Sequence, residues 1–205
     1  MIFRQLFERE SSTYTYLIGC EQTREAALID TVKEEVPKYL QLLEELDLSL
    51  AYALDTHTHA DHITGAGDLR DATGCTTLLG ENANSVCVSH PLRDGDEIHI
   101  GTLTLTALFT PGHTDDSYSF VLKHQDQTYA FTGDTLLIRG TGRTDCRTAM
   151  PLINITACST GCCSYPKTPL CILPTITKAG CSALSAKKKP ITHACKSGTY
   201  PPTSS

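Results

Sequence analysis

Short apolar runs separated by turn residues dominate the first 145 positions of the chain. Residues 3–7, 13–18 and 26–29 are rich in aromatic and aliphatic side chains, and they predict three successive strands. The period then changes. Over residues 32–46 the apolar positions Val36, Tyr39, Leu40, Leu43 and Leu46 recur at the spacing of one helix face. Residues 48–54 return to a strand pattern, and 63–72 predict a second helix. The turn Asp94-Gly95-Asp96 precedes a strand at 97–100. After Gly101, residues 103–109 alternate so that Leu103, Leu105, Ala107 and Phe109 share one face. Residues 117–122 and 127–132 predict a hairpin closed around 123–126. Strands outnumber helices, so the expected class is α/β, with sheets covered by layers of helix.

Past Asp145 this order stops. Prolines at 151, 166, 169, 174 and 190 interrupt every candidate element, and neither period survives. Residues 1–145 hold all 23 acidic residues and 10 of the 17 basic ones, a balance of −13 hidden beneath the net −6. Residues 146–205 hold no acid, seven of the ten cysteines and seven of the ten prolines. A basic tail can bind nucleic acid, but only the lysines at 187–189 cluster here and stacking aromatics are nearly absent, so no nucleic-acid partner is expected. Cys158, Cys162, Cys163, Cys171 and Cys181 lack the Cys-x-x-Cys spacing of a zinc module. The chain therefore divides into a folded unit at 1–145 and an aberrant, irregular tail at 146–205. Its 40% hydrophobic and 20% charged content falls in the ordinary soluble range. No secretory pattern opens the chain and no segment is apolar enough to span a membrane, which makes cytoplasmic the expected location.

The chemistry concentrates in Thr56-His57-Thr58-His59-Ala60-Asp61-His62, directly after the strand pattern at 48–54. Neutral imidazole and carboxylate are ligands that suit zinc and iron, and a turn lets neighbours converge on one point. Two more donors follow strand patterns: His113 in Thr110-Pro111-Gly112-His113-Thr114, and Asp134 in Thr132-Gly133-Asp134-Thr135. Cys20, Cys75 and Cys87 read as small buried residues or idle thiols, and His90, His99 and His124 as surface or strand-edge residues.

In this order, His57-Thr58-His59-Ala60-Asp61-His62, Pro111-Gly112-His113-Thr114 and Gly133-Asp134 resemble the metallo-β-lactamase superfamily. Residues 3–7, Tyr14-Thr15-Tyr16-Leu17, Ala60-Asp61-His62-Ile63-Thr64-Gly65 and Leu136-Leu137-Ile138-Arg139-Gly140-Thr141-Gly142-Arg143-Thr144-Asp145 resemble its persulfide dioxygenases more narrowly. The resemblance implies an αββα sandwich with the metal at one edge of the two sheets, incomplete here after residue 145. It implies one iron(II) held by His57, His113 and Asp134, with His59, Asp61 and His62 orienting those ligands. It implies glutathione persulfide and dioxygen as substrates, sulfite and glutathione as products, and Arg143 as a candidate for the glutathione site. The family is often oligomeric, so a homo-oligomer is also expected. The competing implication is a glyoxalase II-type thiolester hydrolase. There His57, His59 and His113 would hold one zinc, Asp61, His62 and a further histidine a second, and Asp134 would bridge them.

The superfamily's later histidine motif is missing, and His193 does not supply it. Read one base earlier, the codons for Cys171-Ile172-Leu173-Pro174-Thr175-Ile176-Thr177-Lys178-Ala179 permit Tyr-Pro-Ala-His-Asp-Tyr-Lys-Gly, which resembles that motif. The tail thus reads as the product of a frame slip near Cys146-Arg147. A chain so altered is expected to be an inactive fragment of low solubility, because the second sheet would keep an uncovered apolar face.

Overall fold

The computed structural model describes residues 1–83, 85, 88–137 and 140–143. The tail with its cysteines and lysines, Cys87, Arg139, Thr144 and Asp145 lie outside the described residues. Three strands open the chain: β1 (Ile2–Phe7), β2 (Tyr14–Gly19) and β3 (Glu25–Ile29), each antiparallel to the one before. A 3₁₀ turn at Lys33–Glu35 leads into α1 (Val36–Glu45). The periodic segment 32–46 is therefore helical over a shorter span than expected. Pro37 sits in the first turn, where a fixed φ and a missing N–H cost nothing, and it sets where the α-helix begins.

β4 (Ser49–Leu54) then pairs parallel to β3. The second helix, α2, spans Ala66–Thr73 rather than starting at residue 63. The residues before it are used elsewhere: Thr64 bridges to Val32, and the Gly65 amide donates to the Thr31 carbonyl at 3.0 Å. Two strands unforeseen in the sequence follow, β5 (Thr76–Gly80) and β6 (His90–Leu92), both parallel to β4 and completing a six-stranded sheet in chain order. Pro91 is tolerated because β6 is an edge.

The second sheet comprises β7 (Glu97–Ile100), β8 (Leu103–Phe109), β9 (Tyr118–His124) and β10 (Gln127–Phe131), antiparallel throughout and ordered β10-β9-β8-β7. One core lies between the sheets and joins Tyr16, Ile18, Ile29 and Leu54 to Leu105, Phe120, Leu122 and Phe131. A second lies beneath the helices, where Leu17, Leu28 and Ala53 meet Tyr39, Leu43 and Leu69. Three layers of the expected αββα sandwich are thus present among the described residues. Phe109 leaves the alternation of its strand: it is 37% exposed and packs on the Tyr118 ring at 5.2 Å.

Positions alternating with the core residues on the second sheet carry Thr104, Thr106, Ser119 and Thr128 beside Leu108, Val121 and Ala130, of which Ser119, Val121 and Ala130 are buried. No helix among the described residues is long and apolar enough to cross a membrane.

Candidate metal centre

Strand directions bring the donors together. β8 and β10 flank β9 and run the same way, so both end at one edge of the second sheet. The parallel pair β3 and β4 ends together in the first sheet. Four strand ends therefore deliver Asp30, the 55–62 loop, His113 and Asp134. One ligand atom from each of His57, His113 and Asp134 lies within 4.8 Å of those of the other two. The rings of His57 and His113 stand edge to face at 5.1 Å.

Backbone close approach holds this trio. Gly133 has φ +47, and a Cβ there would come within 2.3 Å of Thr56 Oγ1. A Cβ on Gly142 would come within 2.2 Å of the Asp134 carbonyl oxygen and 2.8 Å of His113 Nδ1. The Gly142 amide donates to that carbonyl at 2.7 Å. Arg143 is exposed, and its backbone carbonyl accepts from His113 Nδ1 at 2.8 Å. His57 Nδ1 lies 2.9 Å from the Thr56 hydroxyl. With each Nδ1 occupied, each Nε2 is left for a ligand, and His113 Nε2 sits 3.4 Å from Asp134 Oδ2. Two imidazoles and one carboxylate on one side fit a divalent metal such as iron(II).

A second trio, His59, Asp61 and His62, lies beside the first and also places ligand atoms within 4.8 Å. Its wiring differs. His59 Nε2 donates to Asp30 Oδ1 at 3.3 Å and lies 4.0 Å from Asp55 Oδ1. His62 Nδ1 faces Asp61 Oδ1 and Thr13 Oγ1, each at 3.3 Å, while its buried Nε2 has no hydrogen-bond partner among the described residues. Electrostatics divide the same way. Burial, and then the charge of His59, hold the His57 imidazole well below its ordinary range, so it is neutral. Burial opposes charge on His59 too, but the hydrogen bond and charge of Asp30, with Asp55, push it up to about 9. Burial raises Asp55 to about 6, and it raises Asp134 against the pull of His113. Asp61, despite burial, is held below the carboxylate range by His62.

Asp30, Thr56 and Asp116 carry much of the support, and the sequence reading gave them no role. Asp30 Oδ1 accepts from the Thr56 amide at 2.7 Å, and Asp116 Oδ2 accepts from the Thr58 amide at 3.0 Å. For Asp30 a signal existed, since it follows the apolar strand β3 just as Asp134 follows β10. A cavity of about 30 Å³ opens beside the first trio, lined by Ser12, Thr13, Tyr14, Tyr16, His57 and Asp134 among others. A larger one of about 690 Å³, acidic with Glu8, Glu10, Glu34 and Glu35, lies on the side of His59 and His62. Of the other residues considered, Cys20 and Cys75 are buried thiols, and His90 and His99 are exposed on strands.

The model of the metallo-beta-lactamase superfamily matches residues 9–84 and 88–175. The human mitochondrial persulfide dioxygenase ETHE1 is 48% identical over 146 residues, 71% of this chain and 56% of that protein. A probable hydroxyacylglutathione hydrolase of Schizosaccharomyces pombe is 38% identical over 132 residues, covering 63% of this chain and 51% of the relative. The chain thus spans about half the length of the curated relatives it matches. Among solved structures, ETHE1 from Myxococcus xanthus superimposes with a TM-score of 0.80 at 46% identity, covering 87% of this chain and 77% of that one.

Proposed function

Because the chain belongs to the metallo-β-lactamase superfamily, in its ETHE1-like branch, we propose that it is an iron-dependent persulfide dioxygenase acting on glutathione persulfide. The observation that carries this reading is the convergence of His57, His113 and Asp134 as a self-contained set of two imidazoles and one carboxylate. These three hold the metal. Iron(II) bound there supplies open coordination positions and redox chemistry suited to dioxygen. His59, Asp61 and His62 orient and polarise the ligands from the side. The cavity beside the trio, about 30 Å³, has roughly the share of liquid volume of one water molecule. It admits a terminal sulfur or a diatomic molecule and leaves the glutathione body outside. The Arg143 guanidinium pairs with a glutathione carboxylate, a geometry that planar forks favour. With water as co-reactant, the outer sulfur of the persulfide leaves as sulfite, dioxygen takes up its electrons, and glutathione is released as the thiol.

Metal analysis combined with oxygen uptake on glutathione persulfide tests this. One iron per chain with oxygen consumed and sulfite formed supports the persulfide dioxygenase, whereas insoluble or iron-free protein supports the inactive-fragment reading of the frame-slipped chain. Zinc with cleavage of a glutathione thiolester and no oxygen uptake would replace the dioxygenase with the hydrolase reading, which the fission-yeast relative exemplifies. We also read residues 146–205 as frame-slipped. Resequencing the gene across codons 140–150 decides: a missed base restores the Tyr-Pro-Ala-His-Asp motif, and an unchanged sequence removes the slip. For location the reading is cytoplasmic, whereas the human relative is named mitochondrial; cell fractionation separates the two. Sedimentation of the metal-loaded chain tests the expected homo-oligomer.

A further inference from the structure

The two histidines of the candidate centre are fixed at Nδ1 by partners of different kinds. At His113 the partner is the Arg143 backbone carbonyl, which only accepts, so the hydrogen must sit on Nδ1. At His57 the partner is the Thr56 hydroxyl, which can give or take a hydrogen. What decides is the next atom along. Thr56 has a single hydroxyl hydrogen, and Asp30 Oδ2, 3.1 Å away, is an acceptor. Once that hydrogen is given to Asp30, the Thr56 oxygen must receive from His57.

Asp30 is itself held in place. Its φ is +54, its amide donates to the Leu54 carbonyl at 2.8 Å, and its own carbonyl accepts from Thr15 Oγ1 at 2.6 Å. The Thr56 amide and His59 Nε2 both direct hydrogens at its Oδ1, which leaves Oδ2 to accept from the Thr56 hydroxyl. Gly133 lies so close to Thr56 that a Cβ there would come within 2.3 Å of its hydroxyl oxygen, so no side chain at 133 could be accommodated without displacing it.

From this we infer that Thr56 and Asp30 are positioning residues forming a two-step relay that fixes His57 as the Nδ1–H tautomer. The relay leaves the Nε2 lone pair for the metal. It rests on His57 being a metal ligand, as proposed above, but the tautomer is a property of the metal-free protein. The backbone carbonyl does the same for His113 in a way no side-chain substitution can remove. His57 therefore carries the mutable half of the pre-set site.

The test uses the full chain, with ¹⁵N-labelled histidine, as wild type, Thr56→Val, Thr56→Ser and His57→Ala. Imidazole ¹⁵N shifts of the metal-free protein report the tautomers, and competition with a chromophoric chelator reports zinc(II) affinity. In the wild type both His57 and His113 should carry hydrogen on Nδ1. Valine keeps the shape of threonine and removes the hydroxyl, so His57 should shift to Nε2–H and zinc should bind about 10- to 100-fold more weakly. Serine should restore both readouts, and His113 should stay Nδ1–H in Thr56→Val and Thr56→Ser. Wild-type His57 found as Nε2–H overturns the inference even if Thr56→Val fails to fold. So does a folded Thr56→Val with Nδ1–H on His57 and unchanged affinity. A His57→Ala protein that binds zinc as tightly as wild type instead removes the ligand assignment, and leaves the tautomer result to stand on its own.

Discussion

His57, His113 and Asp134 on one side, and His59, Asp61 and His62 on the other, draw on the same residue types at similar spacing. What separates them is what each imidazole touches on its far side. In the first trio the partners are a hydroxyl and a backbone carbonyl, and neither carries charge. In the second they are carboxylates: Asp30 and Asp55 at His59, and Asp61 at His62. An uncharged partner at Nδ1 fixes the tautomer and leaves Nε2 open for a ligand. A carboxylate partner instead holds a hydrogen on the ring, so His59 resides beside the site as a cation. On the proposed assignment, two clusters of equal composition divide into a metal seat and its electrostatic surround.

Substitutions can break this contrast or sharpen it. The largest effect is expected from Asp134→Ala or His113→Ala, which should lower bound metal below detection by elemental analysis. Retained stoichiometry in either would mean that the first trio is not the seat. Next comes Gly142→Ala, whose methyl group would overlap the Asp134 carbonyl and crowd His113. Overpacking of this kind costs about 1–3 kcal/mol, visible as a lowered midpoint of thermal unfolding, and metal affinity should fall with it. An unshifted midpoint would show that the 140–143 segment does not hold the site together. Asp61→Asn and His62→Ala should keep one metal per chain and weaken it no more than roughly tenfold. If either empties the site in the same analysis, the two clusters are equivalent and the contrast fails. Smallest is Thr13→Val, which removes the hydrogen bonds of that hydroxyl to His62 and Ser11, each worth about 1 kcal/mol. Chemical denaturation resolves a change of that size, and a loss several times larger would give Thr13 a role beyond those bonds.

Much of this was legible in the chain, for identifiable reasons. His57, His113 and Asp134 each follow an apolar strand, and a donor at a strand end stands out against the run before it. Asp30 has the same signature after β3, but a single carboxylate in a turn has no neighbours to mark it. β5 and β6 were not legible: β5 carries only the adjacent pair Leu78 and Leu79 as apolar residues, and β6 is a three-residue edge with a proline at its centre, too short for a period to show. Helix α2 was expected to begin early because residues 63–65 are spent on bridging back to 31–33, a tertiary demand that local pattern does not carry. The contact of Arg143 with His113 was invisible for another reason: it runs through a backbone carbonyl, which every residue has.

The donor set is scattered from Asp30 to Arg143, and every segment between them contributes a wall or a brace. A growing chain on the ribosome therefore exposes His57, His59 and His62 long before the residues that turn them into a selective site exist. A piece ending before residue 134 would carry those imidazoles without the Asp134 carboxylate, and one ending before residue 143 would lack the carbonyl that faces His113 Nδ1. Completion of the proposed seat is thus a matter of chain order as well as of geometry.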